Sequence, residues 1–320
     1  MAGAKKARKD QIGMNTIVPV ENIKQLWITF GNACNHRCVF CFQKDFSEVL
    51  PESVFSNIER IYPTISSCVL QGGEVTIMPH VKDFVKKILN VNSHVKFDIV
   101  TNGQKFDEEW QWLFLQHGRA VHFSVNAATQ ETYEKVTPGG DWNELMNNLW
   151  TTILMRGGSK LPTIRTSMVV TDDNVHEMFL FAKTCELVGV DLCNITYDCD
   201  HFPVDTKLVI SEAEKLKDVK IVSSSWIGSL LSRANGLPPQ RIGAVKENTS
   251  VCINAFENIM IDVDGKARFC CLMVPKIGDL SKNDISEVWN SEEAQRIRQG
   301  FIDGRYPEVG CVIERCSLFN

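Results

Sequence analysis

The sequence has little that would take it into a membrane or out of the cell. No apolar stretch approaches the roughly 20 residues of a membrane-spanning helix. The basic run Lys5-Lys6-Ala7-Arg8-Lys9 reads as a solvated tail, and Asp10 to Asn15 supply no apolar core of a secretory signal. The net charge of −5 provides no global basic field for nucleic acid. No internal repeat or low-complexity segment occurs. What the chain does have is cysteine, 12 in 320 residues. Without a secretory signal, these point to metal-bound thiolates in a reducing, cytoplasmic compartment rather than to a disulfide framework.

Three of them form one tight pattern, Cys34-Asn35-His36-Arg37-Cys38-Val39-Phe40-Cys41. Three thiolates on one loop are one short of a closed tetrahedral site. On a four-iron cluster they leave one iron open to a ligand that is not protein. A structural zinc loop and three unrelated core thiols are the other readings. His36 and Arg37 are expected to face solvent or to support the loop rather than to ligate.

The order of elements bears on the choice. Strand-like runs at 26–31, 67–71, 95–100, 120–126, 163–170 and 190–197 alternate with helix-period stretches near 52–61, 80–89, 107–117, 142–155 and 174–188. In the last of these, Val175, Met178, Phe179, Ala182 and Cys185 recur on one face, with Asn174 as N-cap and Gly189 beyond the end. Alternation of this kind predicts parallel pairing through βαβ units. Functional residues then belong at the C-terminal ends of the strands. The cysteine loop follows the first strand and so lies at that end.

With the three cysteines, Phe40 before the last of them, and Gln71-Gly72-Gly73-Glu74 after the second strand, the sequence resembles the radical S-adenosylmethionine (SAM) superfamily. The resemblance implies a partial (β/α)6 barrel, open on one side. Cys34, Cys38 and Cys41 then hold a [4Fe–4S] cluster whose fourth iron is chelated by SAM. Gly72, Gly73 and Glu74 resemble the GGE turn that contacts the SAM amino group, although Val75 stands where proline is frequent. Asn102 in Thr101-Asn102-Gly103 and Ser124 and Asn126 at the fourth strand's end are candidates for the ribose, Asn126 replacing a frequent acid. Arg165, in the fifth strand, suits the SAM carboxylate.

Four more cysteines lie near the C-terminus: Cys252, Cys270, Cys311 and Cys316. The turn Asp262-Val263-Asp264-Gly265 predicts a β-hairpin carrying Cys270 on its second arm. A helical segment near 291–303 precedes Cys311 and Cys316. This half resembles the SPASM/twitch domains of radical SAM enzymes, and four suitably placed cysteines fit the twitch form with one auxiliary [4Fe–4S] cluster. A four-cysteine zinc ribbon has the same spacing. Cys271 rivals Cys270 as ligand, and strand alternation would let only one of the two face a cluster.

The expected organisation is therefore a flexible extension at 1–22, a partial barrel at 23–225 and a small auxiliary-cluster domain at 226–320. Past the sixth strand, Tyr197, Asp198 and Cys199 are candidate catalytic groups, with Cys199 a possible hydrogen-atom donor and Asp200 and His201 nearby. Cys68, Cys185 and Cys193 read as core thiols. The resemblance implies reductive cleavage of SAM to a 5′-deoxyadenosyl radical, which abstracts hydrogen to oxidise, cross-link or rearrange a peptide or small molecule. A flavodoxin- or ferredoxin-type protein would donate the electron. The 22-residue extension is shorter than the leader-binding domain of some peptide modifiers. Rearrangement of a nucleobase, suggested by the basic tail and Trp110, Trp112 and Trp226, is a second enzyme reading. A non-enzymatic iron–sulfur or zinc protein is the contrasting class.

Overall fold

A computed structural model describes residues 15–197, 204–236 and 251–311. Its centre is one nine-stranded sheet of order β6-β5-β4-β3-β2-β1-β7-β8-β9. The first six strands are β1 (Gln25–Thr29), β2 (Ser67–Gln71), β3 (Lys96–Thr101), β4 (Gly118–Ser124), β5 (Thr163–Val170) and β6 (Leu192–Tyr197), all pairing in parallel. Between them run α1 (Glu52–Asn57), α2 (Pro79–Val91), α3 (Glu108–His117), α4 (Gln130–Val136), α5 (Trp142–Arg156) and α6 (Met178–Val188). This is the parallel pairing that the alternation predicts and the α/β partial barrel that the resemblance implies.

Strand alternation divides the barrel into two faces. Leu26, Ile28, Cys68, Leu70, Phe97, Ile99, Val121, Phe123, Ile164, Met168, Cys193 and Ile195 are buried in one apolar core under the helices. A fully buried side chain of this size contributes about 1.5–3 kcal/mol. The alternate residues, among them Asp98, His122, Ser124, Arg165, Ser167 and Asn194, are half-buried on the inner face. Cys68, Cys185 and Cys193 belong to the core, as expected.

After α7 (Thr206–Lys215) and α8 (Ser224–Ala234), the C-terminal part begins with the short α9 (Asn254–Glu257) and continues the same sheet. Strand β7 (Asn258–Ile261) pairs in parallel with β1, Gln25 opposite Asn258 and Ile28 opposite Ile261. Strand β8 (Lys266–Arg268) returns antiparallel across the Asp-Gly turn, and β9 (Gly278–Asp279) adds a last antiparallel partner. The expected division at 225/226 is thus no break in the sheet. Helices α10 (Ile285–Trp289) and α11 (Glu292–Ile302) close this part.

The extension expected to be flexible is packed over its described residues. Val18 and Val20 are buried, and Val18 exchanges two hydrogen bonds of 2.9 Å with the Asn290 amide. Arg298, fully buried, donates to Thr16 O and Ala255 O and rests 4.4 Å from the Trp289 ring. The reason is local: Val18 and Val20 are apolar and bury themselves on the C-terminal part. No helix among the described residues is long and apolar enough to cross a membrane.

Candidate functional site

The cysteine loop leaves the C-terminal end of β1, and three neighbours fix it. Beneath it lies the glycine turn. Gly73 N donates to Gly31 O at 2.8 Å and Glu74 N to Ala33 O at 2.8 Å. A Cβ at Gly73 would collide with the carbonyls of Asn32 and Ala33, and one at Gly72 would come within 2.7 Å of Gly31 O. The close approach that requires both glycines is to the stem of the loop itself. Glu74 is 1% exposed, and its carboxylate accepts from Thr76 N and Oγ1, Thr101 Oγ1 and Asn102 N at 2.6–3.0 Å. It ties the β2 turn to the end of β3.

From β3, Asn102 Nδ2 donates to Asn35 Oδ1 at 2.8 Å, and Gln104 Oε1 meets His36 Nε2 at 2.6 Å and Asn35 Nδ2 at 3.3 Å. His36, 2% exposed, is a buried support of the loop. From α4, Arg37 N donates to Pro138 O and Val39 N to Val136 O. Gly139, at φ +91°, passes so near that a Cβ would lie 2.7 Å from Asn35 O. Helix α4 is held in turn by Glu177, 4% exposed, which accepts from Ala128 N, Thr129 N and the hydroxyls of Thr129 and Thr132.

Cys34, Cys38 and Cys41 are half-buried free thiols, and Cys41 lies near enough to raise both Cys34 and Cys38. Burial first, and these neighbours second, push Cys38 up to about 12. Such thiols become thiolates when a metal takes the proton's place. Among the described residues, no three His, Cys, Asp or Glu side chains are drawn tightly enough together to hold a single metal ion. The ligands of a four-iron cluster sit at separate corners, and a soft donor set of three convergent thiols with no disulfide fits that group.

The C-terminal cysteines also converge. Cys252 precedes α9, whose first residue, Asn254, lies near enough to the Cys270 thiol to lower it. Met273 and Cys311 form an isolated antiparallel bridge that returns the tail to the Cys270 turn. Burial and then Cys252 and Cys311 raise Tyr306 to about 12, which marks the three as one neighbourhood. Cys316 lies outside the described residues. Cys270 is two residues beyond β8, in a turn rather than on the hairpin arm, so strand alternation does not separate it from Cys271. The neighbouring Cys271 thiol is the main cause holding Cys270 down to about 6.

The remaining candidates divide. Ser124 is the last residue of β4, at the expected end. Asn126 sits in the left-handed region, φ 64°, and its Oδ1 accepts from Val169 N at 3.0 Å, so its amide oxygen ties the end of β4 to β5. Phe40 lies in the turn between the last two loop cysteines. Arg165 is mid-strand, on the inner face beside His122, with its Nε buried and without a partner. Tyr197 is a correction. It shares the parity of Cys193 and Ile195, is 3% exposed in the core under the helices, and does not face the barrel interior. Asp198 and Cys199, with Asp200 and His201, lie outside the described residues. Asn35, Gln104 and Glu177 had no local signal, because their partners lie tens of residues away in sequence.

Comparison with known proteins agrees with this layout. A model of the radical SAM superfamily matches residues 28–181, and one of the SPASM iron–sulfur cluster-binding domain matches residues 252–317. A cysteine-type anaerobic sulfatase-maturating enzyme of Clostridium novyi is 24% identical over 316 residues, covering 84% of this chain and 79% of that protein. A GTP 3′,8-cyclase of Clostridium perfringens is 21% identical over 209 residues, 62% of this chain and 59% of the cyclase. Streptococcus suis SuiB bound to the precursor peptide SuiA shares the fold at TM-score 0.62 and 14% identity, over 92% of this chain and 70% of SuiB. The enzyme anSMEcpe with bound AdoMet and Cp18Cys peptide does so at TM-score 0.60 and 14% identity, over 92% and 86%. The three-cysteine loop at the mouth of the partial barrel lies within the first match and Cys252, Cys270 and Cys311 within the second: residues 28–181 form a radical SAM domain and residues 252–317 a SPASM-type iron–sulfur domain.

Proposed function

We propose that the chain modifies a peptide side chain by radical chemistry. The observation that carries this is the SPASM-type domain at 252–317 behind a radical SAM domain. Relatives of this two-part build include a sulfatase-maturating enzyme and structures with bound peptides.

In this reading Cys34, Cys38 and Cys41 ligate the SAM-cleaving [4Fe–4S] cluster, and Cys252, Cys270, Cys311 and Cys316 an auxiliary one. When bound, the first cluster supplies the electron that splits SAM to a 5′-deoxyadenosyl radical. The rest is positioning by this chain. The Gly72-Gly73 turn offers backbone carbonyls to the SAM ammonium, while Glu74, saturated by its own neighbours, keeps the turn and Asn102 in place. Ser124 and the Asn126 turn line the β4 edge of the cofactor site. Residues 23–225 serve SAM cleavage and 226–320 the auxiliary cluster. A flavodoxin- or ferredoxin-type protein delivers the electron.

Electrostatics favours a peptide over a nucleoside triphosphate, the substrate in the name of the cyclase relatives. A triphosphate carries about four negative charges and calls for several cations. On the described inner face, Arg119 is already engaged by Asp98, and Arg165 is the guanidinium left without a carboxylate. Anaerobic reconstitution tests the class. About eight iron per chain and reductive release of 5′-deoxyadenosine are expected. Bound zinc without SAM cleavage would overturn it. Consumption of GTP in place of a cysteine- or serine-containing peptide would move the substrate to the nucleotide class.

A further inference from the structure

Three buried polar atoms on the inner face lack any partner: His122 Nε2 on β4, Arg165 Nε on β5 and Asn194 Oδ1 on β6. They belong together. His122 is directly opposite Arg165, and Asn194 is opposite Ser167, one inward-facing step above Arg165. All three alternate with core residues that face the helices, so their side chains share the barrel interior. Buried polar groups are nearly always paired, and an orphaned one costs about 1–3 kcal/mol. Three orphans on adjacent strands therefore call for a partner that the described residues do not supply.

The charge of that partner follows from a contrast on the same face. Arg119 Nε meets both Asp98 oxygens, at 2.9 and 3.1 Å. Arg165 has no carboxylate within ion-pair distance among the described residues. A guanidinium away from bulk water without a counter-charge is costly, and an anion brought by a ligand removes that cost. His122 does not compete for the anion as a second cation, because burial and the Arg165 charge push it down to about 4, leaving a neutral ring. Asn194, one step higher, presents an acceptor and so suits an N–H of the same ligand.

Depth separates this set from the cofactor end. His122 is opposite Val100, so the row holding His122 and Arg165 lies two residues, roughly 7 Å, below Asn102. The loop and glycine turn are above it.

Resting on the peptide reading, we propose that Arg165 and His122 form a carboxylate-binding subsite in the barrel interior, with Asn194 taking an adjacent N–H. The subsite holds an acidic residue of the substrate peptide. Arg165, which suits the SAM carboxylate on sequence grounds, is directed at substrate instead.

The test uses the reconstituted full chain with SAM, and N-acetylglutamate and its uncharged isostere N-acetylglutamine as probes. Wild type should bind the acid at least about tenfold more tightly than the amide by calorimetry, a gap of about 1.4 kcal/mol. In Arg165→Gln the gap should shrink below about twofold, while SAM affinity and 5′-deoxyadenosine release without substrate stay within about twofold of wild type. Equal binding of the two probes to wild type overturns the proposal. So does a loss of SAM affinity of about tenfold or more in Arg165→Gln, which would return the guanidinium to the cofactor. Arg165→Met guards against a merely structural role. Removing an unpaired cation should leave the ligand-free melting temperature unchanged or higher, and a fall of several degrees overturns the assignment. Failure of wild type to cleave SAM is a separate result, and it sinks the enzyme class rather than this subsite.

Discussion

Gly73 has no room for a methyl group, because its Cα faces the carbonyls of Asn32 and Ala33 at the root of the cysteine loop. Those contacts are backbone on backbone, so no rotamer change relieves them. Gly73→Ala should destabilise the protein by about 1–3 kcal/mol. It should also lower the iron retained after anaerobic reconstitution by at least about half, and a full iron content would show that the stem has another way to seat. His122 makes a prediction in pH. Its ring is pushed down from 6.5 to about 4 by burial and Arg165. Between those values the unfolded chain binds a proton that the folded chain does not, so stability falls as pH falls through this window. From pH 7 to pH 5 the loss is about 2 kcal/mol at one such site. Urea midpoints at both pH values should show that loss in wild type and not in His122→Asn.

At the scale of elements, α4 is a seven-residue helix whose own burial is small, with Thr132, Tyr133 and Val136 buried. It clamps the cysteine loop through Val136 O and Pro138 O, and Glu177 holds its start with four accepted hydrogen bonds. Glu177→Ala leaves the backbone N–H groups of Ala128 and Thr129 and the two threonine hydroxyls without their acceptor. A cost of about 1–3 kcal/mol is expected, with iron lost to a chelator severalfold faster than from wild type. Unchanged release kinetics would mean that the clamp acts on the fold and not on the loop. The same helix shows where sequence reading reaches its limit. The six parallel strands and helices α2, α3, α5 and α6 were legible because apolar residues recur with period 2 or 3.6 over enough positions, and the six-residue α1 because its apolar face continues through Ile58 and Ile61. Helix α4 is too short for a period to register. The C-x3-C-x2-C loop and the glycine turn were legible as motifs, but the glycines' task was not, since their close neighbour is residues 31–33 rather than a ligand. The Asp-Gly turn gave the β7–β8 hairpin, yet placed Cys270 on an arm that ends at Arg268. Tyr197 was taken by position along the chain, whereas strand parity decides which way it points.

At the scale of the whole molecule, the two iron–sulfur parts share one sheet. Strand β1, which carries the cysteine loop at its end, lies between β2 and β7, so the C-terminal part covers what would otherwise be an exposed edge of the barrel. Nothing in the local pattern of β7 reveals this, because a four-residue strand with three apolar residues pairs equally well with many edges. The N-terminal segment reinforces it, with Val18 fixed to Asn290 and Thr16 to Arg298. The barrel is therefore expected not to stand alone. A chain ending at residue 250 loses β7 and leaves the β1 edge and the apolar surface under Ile259 and Ile261 open to water. An unprotected edge of this kind templates pairing with other chains. The truncated protein should aggregate, or elute as large oligomers in size-exclusion chromatography, even before any cluster is loaded. Replacing Cys252, Cys270 and Cys311 by serine in the full chain should instead keep a monodisperse protein, because the strand stays in place. If the truncated chain is soluble, monodisperse and melts near the wild-type temperature, the sheet continuity is incidental and the two parts are independent units.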